Sequence, residues 1–416
     1  MGRLAAAGGG GGAARERRMS LGHIAIVGAG LGGLTAALAL LRRGFEVTVY
    51  EQADELAEVG AGLQLSANGT CVLFDLGLEH AVMQTAVIPS QKVIRLWDTG
   101  EAWKAFDAGQ VSVELYGFPY LTLHRHDLHR MLAQAVRAAR PDAIVLGARL
   151  VGLEQDEWGV SLRFADGRQG QAELVVGADG VHSEVRRSLF GEDAPRFTGV
   201  VAWRGVIPAE RLPPHLREAT SVTWIGPGGH VVHYPVRRGE LVNYVSVVER
   251  DDWQVESWSV QGSIEECLAD YRGWHEDVQT LITATGRPYK WALFGRAPMP
   301  RWSQGRVTLL GDACHPMPPF LAQGAAMALE DGLVLARSLQ AHGDDHGEAL
   351  SAYEQARIPR TSEAMAGSEA NMRRYHDTRL ASAAEAEAYV AREWSEDRVK
   401  ARYAWLFGYD ARTIAI

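Results

Sequence analysis

Gly28, Gly30 and Gly33, spaced G-x-G-x-x-G, stand between an apolar run, Ile24 to Val27, and a helical pattern that continues to Arg43. Gly44 stops that helix, and a second run, Glu46 to Tyr50, leads to the acid Glu51. Residues of these types at this spacing can hold a dinucleotide in a βαβ unit. Gly28 allows the tight turn, Gly30 lets a pyrophosphate reach the backbone, and Gly33 lets the helix lie close on its strand. The free N–H groups of the helix N-terminus face the phosphates. Glu51, at the tip of the second strand, can accept both hydroxyls of an adenosine ribose and disfavours a 2′-phosphate, so the nucleotide is FAD or NAD rather than NADP. The triplet does not separate those two.

Two more strand-to-helix turns carry charged residues. The strand Glu173 to Val176 runs into Gly177-Ala-Asp179-Gly180 and a helix bearing Arg186, an arrangement that a phosphate-lined groove requires and that an ordinary turn also produces. After the strand Arg306 to Leu310 come Gly311-Asp312, a loop stiffened by Pro316, Pro318 and Pro319, and a helix starting near Gln323. Gly324 there admits a ligand close to the backbone, and the positive helix end can stabilise an anion. Along residues 229–234, alternation puts His230, Val232 and Tyr234 on one face of a strand and Val231 and His233 on the other. The two histidines therefore cannot serve one site, and His230 is the one that shares a face with Tyr234. The alternative, a pair of half-buried structural histidines, is strong for any isolated strand histidine. Trp203, Trp224, Trp253, Trp258 and Trp274 fall in the same segment, either as core or as a pocket for a flat ring.

The elements that must position these residues can be read in outline. The loop with Gly60 and Gly62, and Ser66-x-Asn68-Gly69 opening a helix over Thr70 to Leu76, is a surface turn or a loop near the far end of a cofactor. From Val93 to Tyr120 the pattern turns to strands (VIRLWD, then SVELYGFPYLTL), which interrupt the nucleotide unit and begin a second domain. Arg125 enters a helix with Leu128, Met131, Leu132 and Val136 on one face. Strands follow to Val176, with a hairpin at Asp166-Gly167, and again from Val200 to about Lys290. Helices are expected at Ala325 to Gln340, Gly347 to Ala370 and Ala381 to Ala404.

With 416 residues, 47% hydrophobic and 22% charged, the chain suits an ordinary globular protein. Its net charge of −9 and lack of a basic stripe argue against nucleic acid as a partner. No apolar run reaches the ~20 residues needed to span a bilayer, so no membrane partner is expected. Cys71, Cys267 and Cys314 are odd in number and widely spaced, which suits a reducing compartment and argues against a disulfide framework or a metal site. Residues 1–20, rich in Ala and Gly, read as a disordered tail or as sequence upstream of a start at Met19.

Taken together, the glycine triplet with Glu51, Gly177-Ala-Asp179-Gly180 with Arg186, and Gly311-Asp312 with its proline loop resemble the single-component FAD-dependent aromatic hydroxylases. This group includes salicylate hydroxylase, 3-hydroxybenzoate 6-hydroxylase and 6-hydroxynicotinate 3-monooxygenase. The resemblance spans about residues 22 to 410, ending in Trp-Leu-Phe-Gly-Tyr-Asp at Asp410. It implies an α/β fold in which a Rossmann-like FAD-binding domain (21–92, 125–199 and 291–375) is interleaved with a mostly antiparallel substrate domain (93–124 and 200–290). A C-terminal helical segment (376–416) completes it.

The resemblance further implies that NADH, or NADPH, reduces FAD and that O2 adds to it. The resulting C4a-hydroperoxyflavin then hydroxylates a small phenolic or hydroxylated (hetero)aromatic acid, with or without loss of a carboxylate. By the same carry-over, Glu51 binds ribose, Arg125 the phosphate–ribose region and Asp312 the ribityl chain, while Asp179 belongs to a motif serving FAD and NAD(P)H. The helix at Gly324 and Ala325 faces the flavin N1–C2 carbonyl. His230 and Tyr234 match the catalytic His and Tyr of the 3-hydroxybenzoate and 6-hydroxynicotinate enzymes, with His230 as the base that takes a phenolic proton. Arg204, outside that carry-over, is a weaker candidate for contact with a substrate carboxylate. Pro319 and Phe320 stand where those enzymes carry a substrate-binding Gln and a loop His, so neither substrate is assumed and the apolar loop is closer to the salicylate-like pattern. A cytoplasmic setting and a homodimer are also expectations of the group. The readings that compete are an NAD-dependent dehydrogenase, a flavoenzyme that oxidises or epoxidises a non-aromatic substrate, and a flavin-binding protein without turnover.

Overall fold

A computed structural model describes residues 22–56, 61–193, 195–253 and 260–416. The expected tail at 1–20, Gly60 and Trp258 lie outside the described residues. The strand His23–Val27 lies at the centre of a five-stranded parallel sheet, flanked by Leu174–Gly177 and then Val307–Leu309 on one side, and by Glu46–Tyr50 and then Ile144–Val145 on the other. Helices cover such a sheet on both faces, which is why Ile24 to Val27 read as a continuous apolar run. The helix Leu31–Leu41 is apolar nearly all round because Arg125–Ala139 and Gly324–His342 both pack on it.

The second large element is a seven-stranded sheet in the order Tyr289–Gly295, Arg196–Pro208, Leu241–Glu249, Gly229–Val236, Ser221–Gly226, Lys92–Leu96, Ala102–Phe106. It is antiparallel except where Ser221–Gly226 meets Lys92–Leu96 in parallel. One face packs under the helices Ile264–Asp270 and Glu276–Ala284, with Trp203, Trp224, Val231 and Tyr244 buried there. The other packs against Phe320 of the proline loop and against Tyr375, Trp394 and Tyr403 of the C-terminal helices. Trp203 and Trp224 have 0% exposure. A buried tryptophan takes roughly 200 Å² out of water, about 5 kcal/mol as an upper limit, so these two rings are core and not a pocket lining.

Three expected elements differ. The stretch SVELY, expected as a strand, lies in a helix, Gln110–Tyr116, closed by Gly117 at φ 78°. Its V-x-V-x-L alternation marks no buried face, since Val113 and Leu115 are exposed. The charged helix expected over Ala381 to Ala404 is two helices, Ala383–Glu393 and Glu396–Phe407, parted at Trp394, whose ring stacks on Tyr375 at 5.5 Å. The helix expected to end at Ala370 runs over His346–Tyr375.

Candidate active site

At the nucleotide end, Gly28 has φ +104°, and a Cβ there would sit 2.4 Å from the Ala178 carbonyl oxygen. A Cβ on Gly33 would sit 2.1 Å from the Gly28 oxygen, so strand and helix could not approach as they do. A Cβ on Gly30 would meet nothing within 4 Å. That open side at a helix N-terminus is the space a pyrophosphate requires. The Glu51 carboxylate accepts the Ala29 N–H at 2.8 Å through Oε2 and the Ala53 N–H at 2.9 Å through Oε1, which fixes its orientation beside the glycine turn. His129, not singled out from sequence, is buried and bonds the Ala29 carbonyl through Nε2 at 2.7 Å. Arg125 opens the helix Arg125–Ala139, its N–H donating to Ala61 O at 2.8 Å, and its charge is felt at Arg204.

Asp179 turns toward its own helix. Its Oδ2 accepts the Glu184 and Val185 N–H groups at 2.8 and 3.1 Å, and Oδ1 accepts the Ser183 hydroxyl at 2.5 Å. Burial raises its pKa in spite of these donors. Buried Arg186 donates to Val181 O at 2.7 Å and Ala313 O at 2.9 Å, fastening this turn to the one after Leu309.

There Asp312 is exposed beside Gly311, whose φ is +65°. Behind the turn lies a buried polar network invisible to motif reading. Asp331 Oδ2 bonds His315 Nε2 at 2.6 Å and the Gly311 N–H at 3.1 Å, while Oδ1 accepts from Arg357 at 2.7 Å. Glu330 accepts from Arg357 at 2.5 Å, from Arg360 at 2.7 and 2.8 Å, and from Asn68 at 2.7 Å. Burial would raise the Asp331 pKa, but His315 and Arg357 hold it below the usual range. Gln323 bonds Ser66 at 2.9 Å and Asn68 at 3.0 Å, anchoring the start of Gly324–His342 to the loop after Gly62. Gly324 and Ala325 thus head a 19-residue helix whose N-terminus is held on both sides. The clue in the sequence was an acidic pair inside an apolar helix, followed by two arginines three apart on the next.

On the sheet face toward the proline loop, register sets the rows. Arg204 and Val232 flank Val245, Tyr234 is opposite Asn243, and His230 is opposite Val247. The alternation is as expected. His230 contacts the rings of Phe320 at 5.5 Å and Tyr375 at 5.0 Å, whereas His233 lies on the other face near Asp277, its pKa brought down to about 4 by burial. His230 Nδ1 bonds His376 Nε2 at 2.7 Å, and among the described residues its Nε2 has no protein hydrogen bond. Burial, then His376 and Lys92, push its pKa well below 6.5, so at pH 7 the imidazole is neutral and one ring nitrogen keeps a lone pair. Tyr234 is buried, which raises its pKa and keeps it a phenol. Arg204 lies over the rings of Trp291 and Tyr289 at 5.0 and 5.6 Å, its pKa lowered to about 10 by burial and by Arg125. Lys92, also missed from sequence, sits on the same face beside Ser221, and burial of its ammonium lowers its pKa to about 8. Phe320 is buried against His230; Pro319 is exposed.

A dinucleotide cradle, a helix N-terminus held at Gln323, and a sheet face with a neutral histidine and desolvated cations are parts that a flavin-dependent oxygenase requires. Residues 22–368 match the family described as FAD binding domain, and the chain belongs to it. It is 41% identical over 391 residues to 3-amino-4-hydroxybenzoate 2-monooxygenase PtnB3 of Streptomyces platensis, covering 94% of this chain and 97% of that one. It is 39% identical to 6-hydroxynicotinate 3-monooxygenase of Pseudomonas fluorescens, covering 82% and 88%. Among solved structures, Klebsiella pneumoniae HpxO complexed with FAD and uric acid matches with TM-score 0.80 at 25% identity, covering 92% of this chain and 97% of that chain. The protein is an FAD-dependent aromatic monooxygenase, as the motifs implied, and the glycine cradle with its open side at Gly30 fits that cofactor. Among the described residues, no helix is long and apolar enough to cross a membrane, and no cluster of His, Cys, Asp and Glu is placed to hold a metal.

Proposed function

We propose that this enzyme hydroxylates a phenolic benzoate, with 3-amino-4-hydroxybenzoate the first candidate, using O2 and NAD(P)H. The reading rests on one observation: a neutral histidine, bonded through Nδ1 to His376 and with no hydrogen bond at Nε2 among the described residues, shares a sheet face with two desolvated cations, Arg204 and Lys92. His230 accepts the phenolic proton, since a phenolate ring is the better nucleophile. Tyr234 orients the ring, Phe320 packs over it, and Arg204 with Lys92 pairs with the carboxylate. Bound FAD supplies the electrophilic oxygen. Glu51 holds its ribose, Gly28, Gly30 and Gly33 its pyrophosphate with Arg125 beside, and Asp312 its ribityl hydroxyls. The N–H groups at Gly324 and Ala325, at the helix N-terminus, would hold its ring and stabilise negative charge there. Asp179 acts by capping the helix that carries Arg186. A cytoplasmic setting and a homodimer complete the reading on family grounds.

The test is NADH consumption by the FAD-loaded protein with 3-amino-4-hydroxybenzoate, 3-hydroxybenzoate, salicylate and 6-hydroxynicotinate, with peroxide measured alongside. Stimulation by a benzoate with little peroxide supports the reading. Stimulation by none of the four refutes it.

A further inference from the structure

His376, the residue that ends the long helix His346–Tyr375, links His230 to a carboxylate at the surface. Its Nε2 lies 2.7 Å from His230 Nδ1, and its Nδ1 lies 3.0 Å from Glu249 Oε1. The side chain of His376 is 2% exposed and that of Glu249 is 53% exposed. The hydrogen bond to His376 holds the Glu249 pKa below the usual range, so Glu249 is a carboxylate and can only accept. His376 Nδ1 therefore carries a hydrogen and, in the neutral ring, Nε2 has a lone pair. That lone pair must accept from His230, which places the His230 hydrogen on Nδ1 and leaves Nε2 bare. One carboxylate at the surface thereby fixes the tautomer of a buried imidazole two rings away.

We propose that Glu249, His376 and His230 form a proton relay from the substrate to solvent. The relay rests on the reading of His230 as the base. The substrate hydroxyl gives its proton to His230 Nε2, His230 gives its Nδ1 proton to His376 Nε2, and His376 gives its Nδ1 proton to Glu249, which releases it to water. Substrate becomes phenolate and one proton leaves; both rings stay neutral but in the opposite tautomer, and rotation, or the reverse shift when product is reprotonated, resets them. The relay has a purpose because burial and the positive charge of Lys92 disfavour a lasting imidazolium at His230. The titratable groups facing His230 are Lys92 from the strand Lys92–Leu96 and Tyr375 and His376 from the helix end. Those facing His376 are His230 and Glu249. His376 and Glu249 are thus positioning residues that act through His230.

The experiment uses FAD-loaded enzyme with 4-hydroxy-3-nitrobenzoate, whose phenolate is yellow. In a stopped-flow pH jump, growth of the bound phenolate band reads proton transfer out of the site. Glu249→Gln keeps an acceptor but cannot take the proton, and at a half-exposed position it does not threaten folding. The relay predicts that Glu249→Gln and His376→Gln slow the phase at least about tenfold, that the affinity for the phenolate at high pH and the FAD content stay unchanged, and that Glu249→Asp recovers the rate. An unchanged rate in Glu249→Gln overturns the relay and leaves His230 as the base. A wild-type enzyme that never forms the bound phenolate overturns both.

Discussion

Replacing Arg357 by Met would remove one guanidinium from between two buried carboxylates, Glu330 at 2.5 Å and Asp331 at 2.7 Å, all three side chains at 0% exposure. Removing one partner of a buried ion pair costs about 3–5 kcal/mol because the other charge is left without compensation. Here each carboxylate keeps other donors: Arg360 and Asn68 on Glu330, His315 and the Gly311 N–H on Asp331. The loss therefore belongs at the low end, about 3 kcal/mol, which for a chain of this size lowers the thermal midpoint by about 3–4 °C. The same Asp331 holds the Gly311 turn that presents Asp312, so FAD retention on dilution should fall with stability. Thermal melts of FAD-loaded and stripped protein measure both. Arg357→Lys keeps the charge but not the fork, and should lose roughly half as much. A loss below about 1 kcal/mol, or equal losses for Lys and Met, would refute the account of the network as a charge-compensated pair.

Gly30→Ala adds a methyl that meets no protein atom, so the stripped protein should melt as wild type while FAD affinity drops about tenfold or more, by titration. An unchanged affinity would mean that the pyrophosphate lies elsewhere. His230→Asn should lower kcat by about 10²–10⁴-fold while Tyr234→Phe mainly raises KM. Hydroxylation untouched by the first and abolished by the second reverses those roles. Lys92 is charged below its pKa of about 8 and neutral above it, so kcat/KM for a benzoate should fall as pH rises through about 8, and Lys92→Met should remove that limb. His233 has a folded pKa lowered to about 4, so the unfolded chain binds more protons than the native one between there and about 6.5. Stability is then full above about pH 6.5 and falls by up to about 3 kcal/mol on acidification, and His233→Gln should flatten that part of the curve.

The nucleotide half was legible because each of its residues answers a local demand. Gly28, Gly30 and Gly33 serve one turn, and Glu51 ends the adjacent strand, so short-range spacing carries the information. The faces of His230 and His233 were legible for the same reason, since strand alternation has period two. Lys92, His376 and Glu249 were not, because what unites them with His230 is sheet register and the seating of a helix end, set by contacts far apart in the chain. SVELY misled because alternation signals a strand only when one side of it is buried, and that segment lies at the surface. The network around Glu330 was hidden differently: its acids and arginines look like ordinary helix-surface charges until the helices are packed.

Arg360 joins that network to residues that come much later in the chain. It donates to the carbonyls of Trp405, 45 positions on, and Leu406, and its guanidinium lies 3.7 Å from the centre of the Tyr409 ring. During synthesis, then, the helix that heads the flavin site leaves the ribosome before its clamp exists. The nascent chain can fold its glycine cradle early, but Glu330 and Arg360 wait in a half-built interior until the final helix docks. On the proposed placement of the flavin, cofactor capture becomes a finishing step of biogenesis, and a ribosome stalled shortly before Trp405 would carry a chain with a formed cradle and an unclamped Gly324 helix.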